Sequence, residues 1–296
     1  MEFESCISTK GLTKKYGKFT LGGLDLELPK GFATALIGAN GAGKTTLIDL
    51  LCGVIHKTEG EVMYFGESGD ISQPALRDRI GYCASSAFFP NGWTAKDIAV
   101  SLELSCSTFD RAEFAKLCGE MDVDSEFTKK PRAMYKQSDG NRMRTSLAAA
   151  FAQKSDLLIL DEPGSSLDPL MRDRLCDRMR EYLESGDGEK SIIFSTHNIA
   201  DMENAADYAV FMDLGRVIDC GFVDDLKDKY IIARGDIKDY DSAKDLLLSH
   251  SKTRTVFDGL ALAEHAEELA KMGVDSEAPT LQQLSIGLLK YAEETR

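Results

Sequence analysis

Apolar and polar side chains alternate in "FTLGGLDLELPKG" (Phe19–Gly31), and the run closes on Pro-Lys-Gly. A period of two that ends in a turn predicts a strand with one buried face. The pattern then changes. "FATALIGANGAGKTTLIDLLCG" (Phe32–Gly53) opens on a continuous apolar run, passes through a glycine-rich loop and takes up helical spacing, with Gly53 as the helix stop. "GEVMYFGE" and "RIGYC" predict further strands. From about residue 86 to 149 the spacing is helical. "TAKDIAVSLELS" and "DRAEFAKLCGEM" carry apolar residues at helical intervals, and Thr94 is placed to cap the first. "DLLILDEP" and "KSIIFSTH" are continuous apolar runs of the kind buried on both faces, with "MRDRLCDRMREYLES" a helix between them. That succession predicts an α/β fold on a mainly parallel sheet. From about residue 225 the chain turns acidic and mixed in pattern, and it ends in the amphipathic "TLQQLSIGLLKYAEE". Residues 225–296 therefore read as a small appended region.

The loop "GANGAGKTT" comprises Gly38, Ala39, Asn40, Gly41, Ala42, Gly43, Lys44, Thr45 and Thr46, and satisfies G-x-x-x-x-G-K-[ST]. Its glycines let successive amide N–H groups converge on phosphate oxygens, and the following helix adds the positive end of its dipole. Lys44 supplies a cation for the β- and γ-phosphates of ATP, and Thr45 offers a hydroxyl to Mg²⁺. "LLILDE" places Asp161 at the end of a buried strand as the second Mg²⁺ residue. Glu162 follows as the group that orients or deprotonates an attacking water.

Together these residues resemble the nucleotide-binding domain of ABC ATPases over roughly residues 5–220. The resemblance implies a P-loop NTPase core of ABC type with an antiparallel β region, an α-helical subdomain at about 86–149 and a small C-terminal extension, the ATPase domain covering 1–224. It assigns Tyr16, in "LTKKYG", to stacking on adenine. It assigns Asp168, in "SSLD", to the loop that crosses to a partner subunit, and His197, in "FSTHN", to the switch histidine that contacts the γ-phosphate. "QSDGN" falls on the family's LSGGQ signature. Ser138 and Gly140 survive there, at the head of a helix expected near Asn141, and would act on ATP bound to the other subunit. Asp139 puts a carboxylate near phosphate, which Arg142 and Arg144 could offset. Ser85 stands where the family usually has a Gln that contacts Mg²⁺. The aromatic loop "SAFFPNGW", with Phe88, Phe89 and Trp93, borders the region that receives a membrane subunit in this architecture. "APTLQQLSIGLL" resembles the ending of the ATPases of drug, bacitracin and lantibiotic exporters.

Composition narrows the partners. A net charge of −14 argues against a nucleic-acid surface, and the basic run "TKKPRAMYK" does not reverse it. Seven cysteines form no CxxC pair, as expected of thiols in a reducing cytoplasm. "MEFESC" does not open a signal peptide, and no apolar run approaches the ~18 residues of a membrane span. The expectation is a cytoplasmic ATPase subunit, peripheral on the inner face of the cell membrane through a separately encoded transmembrane permease. It would act as a homodimer or with a related ATPase. A soluble ABC ATPase of ribosomes or DNA, and an ATP-sensing module with weak hydrolysis, share the same motifs.

Overall fold

The computed structural model describes residues 3–69, 71–86, 89–123 and 132–296. Phe88 and the residues 128–131 of the basic run lie outside them. The chain opens with the hairpin β1 (Ser5–Tyr16) and β2 (Phe19–Pro29), followed by β3 (Ala33–Ile37) and α1 (Lys44–Leu51). Next come β4 (Glu59–Tyr64), β5 (Glu67–Ser68), α2 (Pro74–Arg77) and β6 (Ile80–Cys83). The helical stretch holds α3 (Ala95–Ser105), α4 (Arg111–Glu120) and α5 (Asp139–Ala152). Then β7 (Leu157–Leu160), α6 (Pro169–Glu184), β8 (Ser191–Thr196), β9 (Tyr208–Asp213) and β10 (Arg216–Phe222) complete the central part.

β1, β2, β4 and β5 form an antiparallel sheet in the order β2-β1-β4-β5. The central sheet runs β10-β9-β3-β8-β7-β6 and is parallel except for β10. Its continuous apolar strands divide their side chains by the two-residue period of a strand. Leu36, Leu157, Ile159, Ile193, Val210 and Met212 face the antiparallel sheet and α1. Ala35, Ile37, Leu158, Leu160, Phe194 and Phe211 face the helices. Both faces are covered, which is why polar alternation is missing from these runs.

Helix starts follow from their caps. Thr94 and Asp97 form a reciprocal capping box on α3, and Asp110 accepts two first-turn amides of α4. Ser138 caps α5 by accepting from the Asn141 amide (3.2 Å). The helix therefore begins at Asp139, two residues before the expected Asn141, and takes Gly140 into its first turn. α1 ends at Leu51, and Gly53 follows in the left-handed region (φ 66°).

The C-terminal region contains α7 (Val223–Lys229), β11 (Tyr230–Asp236), α8 (Tyr240–Ala243), β12 (Leu247–Lys252), β13 (Val256–Leu262), α9 (Ala266–Lys271), β14 (Asp275–Glu277) and α10 (Leu281–Glu294). α7 spans the expected boundary at 225, and a third sheet, β12-β13-β11-β14, begins only at Tyr230. α10 lies between that sheet and the central one, against β9 and β10 on one side and β12 and β13 on the other. Its Leu281, Leu284 and Leu288 belong to the same apolar core as Phe211 and Leu226. Gly287 permits the approach, since a Cβ there would come within 2.8 Å of Leu260. Among the described residues no helix is long and apolar enough to cross a membrane.

Candidate functional site

The loop from β3 to α1 sits at the C-terminal edge of the parallel strands, where doubly wound sheets bind ligands. Gly41 (φ 85°) and Gly43 (φ 106°) adopt backbone conformations that side-chain-bearing residues avoid. At Gly38 a Cβ would lie 2.4 Å from the Met212 carbonyl oxygen, so the glycine is needed for packing against β9. Lys44 is buried, and its ammonium donates to the Gly38 (2.8 Å) and Ala39 (3.3 Å) carbonyls.

Asp161, 1% exposed, follows β7. Thr45 Oγ1 donates to its Oδ2 (3.0 Å), joining the phosphate loop to the strand end. Ser195 Oγ, from β8, donates to its Oδ1 (2.6 Å) and also accepts the Glu162 amide N–H (2.8 Å). Glu162 has a left-handed backbone (φ 49°), which costs a non-glycine residue roughly 1 kcal/mol. That conformation brings its Oε1 to 3.5 Å from Lys44 Nζ and its Oε2 to 2.7 Å from His197 Nδ1. A carboxylate only accepts, so Nδ1 carries the hydrogen and Nε2 is left for a ligand. The His197 side chain is 46% exposed, against 16% for Glu162, so the histidine forms the open side of the site.

Lys44, Thr45, Glu162 and His197 line a cleft of about 470 Å³ with Phe19, Asn40, Gly41, Gly43, Thr46, Ser85 and Ser165, while Asp161 and Ser195 are buried and outside its lining. Tyr16 is exposed beside this cleft rather than in its lining. It is paired across the hairpin with Phe19, which does line it. A second cleft of about 330 Å³ joins Ser85 and Ser86 to Asp139, Arg142 and Ser166. Gly140 permits this junction, because a Cβ would sit 2.8 Å from the Ser166 carbonyl oxygen. Asp139 pairs with Arg142 as expected, but Arg144 turns away, donating to the Met121 carbonyl (2.9 Å). Asp168 caps α6, accepting from the Met171 amide (3.0 Å).

Ser195 and Phe19 are the site residues that the motif reading missed. Ser195 carries a faint signal, a hydroxyl inside the apolar run of β8 just before His197. Phe19 carries one only through its pairing with Tyr16. Behind the site, Tyr82 donates to Asp49 (3.4 Å). Burial raises the Asp49 carboxyl above its usual range, opposed by that hydrogen bond and reinforced by the charge of Asp161. Burial, then Asp161, pushes the Cys83 thiol up to about 12, so it stays neutral. None of the seven cysteines is in a disulfide.

The donor set suits a hard cation: one carboxylate and one hydroxyl, with phosphate oxygens to complete it, is a Mg²⁺ pattern. Among the described residues no group of three or more His, Cys, Asp or Glu could hold a metal without such a ligand.

Residues 21–165 match the ABC transporter family. The chain is 30% identical over 223 residues to the daunorubicin/doxorubicin resistance ATP-binding protein DrrA of Streptomyces peucetius, covering 75% of this chain. It spans 66% of that protein, just under two thirds of its length. Proteins named for sulfate/thiosulfate and iron(III) import match at 31% and 34% identity. A dimeric ATP-binding cassette in a post-hydrolysis state with ADP and Pi shares the fold, with a TM-score of 0.62 and 21% identity over 73% of this chain and 98% of that one. The lantibiotic transport ATP-binding protein SrtF of Streptococcus pyogenes is 32% identical, over 72% of this chain and 89% of its own. By that identity and coverage, on a phosphate loop and paired carboxylates set in this fold, the chain belongs to the family of ABC transporter ATP-binding proteins.

Proposed function

We propose that this chain is the ATP-hydrolysing subunit of a membrane transporter. The observation that carries the reading is the continuous network Thr45–Asp161–Ser195–Glu162–His197, which also reaches Lys44 and so joins phosphate-binding, metal-binding and water-orienting groups. The loop amides and Lys44 hold the β- and γ-phosphates, and Phe19 and Tyr16 offer aromatic faces to adenine. Thr45 and Asp161 hold Mg²⁺, with Ser85 at the rim; the cation supplies charge neutralisation on the phosphates when bound. Glu162 orients a water in line with the γ-phosphorus and takes its proton. The bond from that phosphorus to the ADP oxygen breaks, giving ADP and phosphate. His197 faces the transferred group.

Two copies, or one copy and a related ATPase, would enclose ATP between the Lys44 loop of one and the α5 start of the other. Ser138 already accepts from its own helix, so its O–H hydrogen remains to donate to phosphate. Gly140 sits in the first turn of that helix against the carbonyl of Ser166, which is two residues before Asp168. Closure and reopening would move a separately encoded permease, placing this chain at the inner face of the membrane. Export of a drug, peptide or lipid-like cargo is supported by the C-terminal resemblance and by the drug-resistance and lantibiotic-transport relatives, against which the two import relatives weigh.

Glu162→Gln is the decisive variant. It should abolish steady-state hydrolysis and accumulate an ATP-bound dimer on size-exclusion chromatography. Hydrolysis at the unmodified rate would reassign the water-orienting role.

A further inference from the structure

We propose that Ser195 is a positioning residue of this site, whose single hydroxyl fixes both the metal-binding carboxylate and the backbone that aims Glu162. The inference rests on the ATP-hydrolysis reading above.

Ser195 is fully buried on β8, between β3 and β7 in the central sheet. It lies level with Leu36 of β3, one residue past the point where Phe194 opposes Leu160. That register sets its hydroxyl beside the Asp161–Glu162 peptide at the end of β7. A buried hydroxyl needs partners, and this one uses its hydrogen and a lone pair on different functional residues. The hydrogen goes to Asp161 Oδ1 (2.6 Å) and the lone pair to the Glu162 amide (2.8 Å). Asp161 is thereby held by two hydroxyls, Ser195 on Oδ1 and Thr45 nearest Oδ2 (3.0 Å), with Oδ1 also within 3.3 Å of Thr45. Its plane is set before any cation arrives.

The Glu162 amide bond matters for a second reason. A left-handed non-glycine residue persists only where its surroundings over-determine it. The Ser195 bond supplies that restraint, and the conformation it holds directs Glu162 to Lys44 and His197. His197 itself lies two residues further along the chain. One side chain therefore ties together three functional positions without facing a ligand.

Ser195→Ala and Ser195→Thr in the full chain test this. Thr keeps the hydroxyl and suits a central strand. Calorimetric titration with ATP in EDTA, and separately with Mn²⁺·ATP, is set beside steady-state hydrolysis and a thermal melt. Ser195→Ala should bind metal-free ATP as the unmodified chain does and Mn²⁺·ATP several-fold more weakly, with kcat down about tenfold and KM for the metal-bound nucleotide raised by the same several-fold factor. Ser195→Thr should recover kcat to within about threefold. Equal losses in both titrations, without rescue by Thr, would reduce Ser195 to a packing role and overturn the proposal, as would no loss at all. If Ser195→Ala does not fold, Ser195→Cys, close in size and a weak donor, is read the same way. An unmodified chain that binds ATP without hydrolysing it would sink the hydrolysis reading, while the Mn²⁺ comparison would still judge Ser195.

Discussion

Asp49 shows how closely charges crowd behind the phosphate loop. Its folded-state pKa is raised, first by burial and then by Asp161. A raised carboxyl favours the fold at pH below its unfolded value of about 4, and that contribution is lost as pH rises through the folded value. Asp49→Asn cannot ionise, yet it keeps an acceptor for Tyr82. Its melting temperature should exceed that of the unmodified chain at pH 8 and match it at pH 4; the reverse order would show that Asp49 is a favourable charge. The site residues differ in how far they could be read. Gly38 to Thr46, Asp161 and Glu162 sit in short segments whose spacing already states their chemistry, and the structure brings them together with His197. Ser195 and Phe19 work through partners 33 or more positions away or across a hairpin, so neither spacing nor residue type announces them. Asp139 is a middle case. Its carboxylate is visible in the sequence, but its pairing with Arg142 and not Arg144 depends on which face of α5 each arginine leaves.

α10 is the element whose purpose was least visible. Its amphipathic pattern predicts a helix, and the structure has one there, started by a capping box between Thr280 and Gln283. Which surface its leucines meet was not readable, because β9 and β12 reach it from distant parts of the chain. Each fully buried leucine contributes about 1.5–3 kcal/mol. Leu284→Ala should therefore destabilise the whole protein by about 2–4 kcal/mol in denaturant titration, a cavity term included. A separate, earlier transition for the C-terminal sheet would mean instead that α10 does not join it to the central core. The helix is also tied at its ends to segments near the site. The Leu281 amide donates to Glu203 (2.8 Å), and Arg296 pairs with Asp213, beside the turn whose Gly215 amide holds the Ala42 carbonyl (2.8 Å). The strands of the central sheet were easier to read, since continuous apolar runs have no other stable use in a chain this charged.

At the scale of the molecule, the expected docking loop folds partly inward. Phe89 and Trp93 pack against the main core, whereas Tyr135 (60% exposed) and Leu104 (85%) remain in solvent. The Tyr135 amide is bonded to the Asn91 carbonyl, so its ring extends the same surface. Tyr135→Ala should weaken co-purification of a membrane partner several-fold from detergent extracts, with ATP affinity unchanged. Undiminished recovery would move the partner elsewhere, and this variant spares the core as Trp93→Ala would not. The placement of α10 reaches into the making of the protein. A chain emerging in order from the ribosome exposes Phe211, Val223 and Leu226 well before Leu281, Leu284 and Leu288 exist to cover them. The ATPase core is therefore topologically unfinished when its own motifs have all been synthesised, and nascent chains halted between residues 230 and 280 should be held by chaperones rather than released folded.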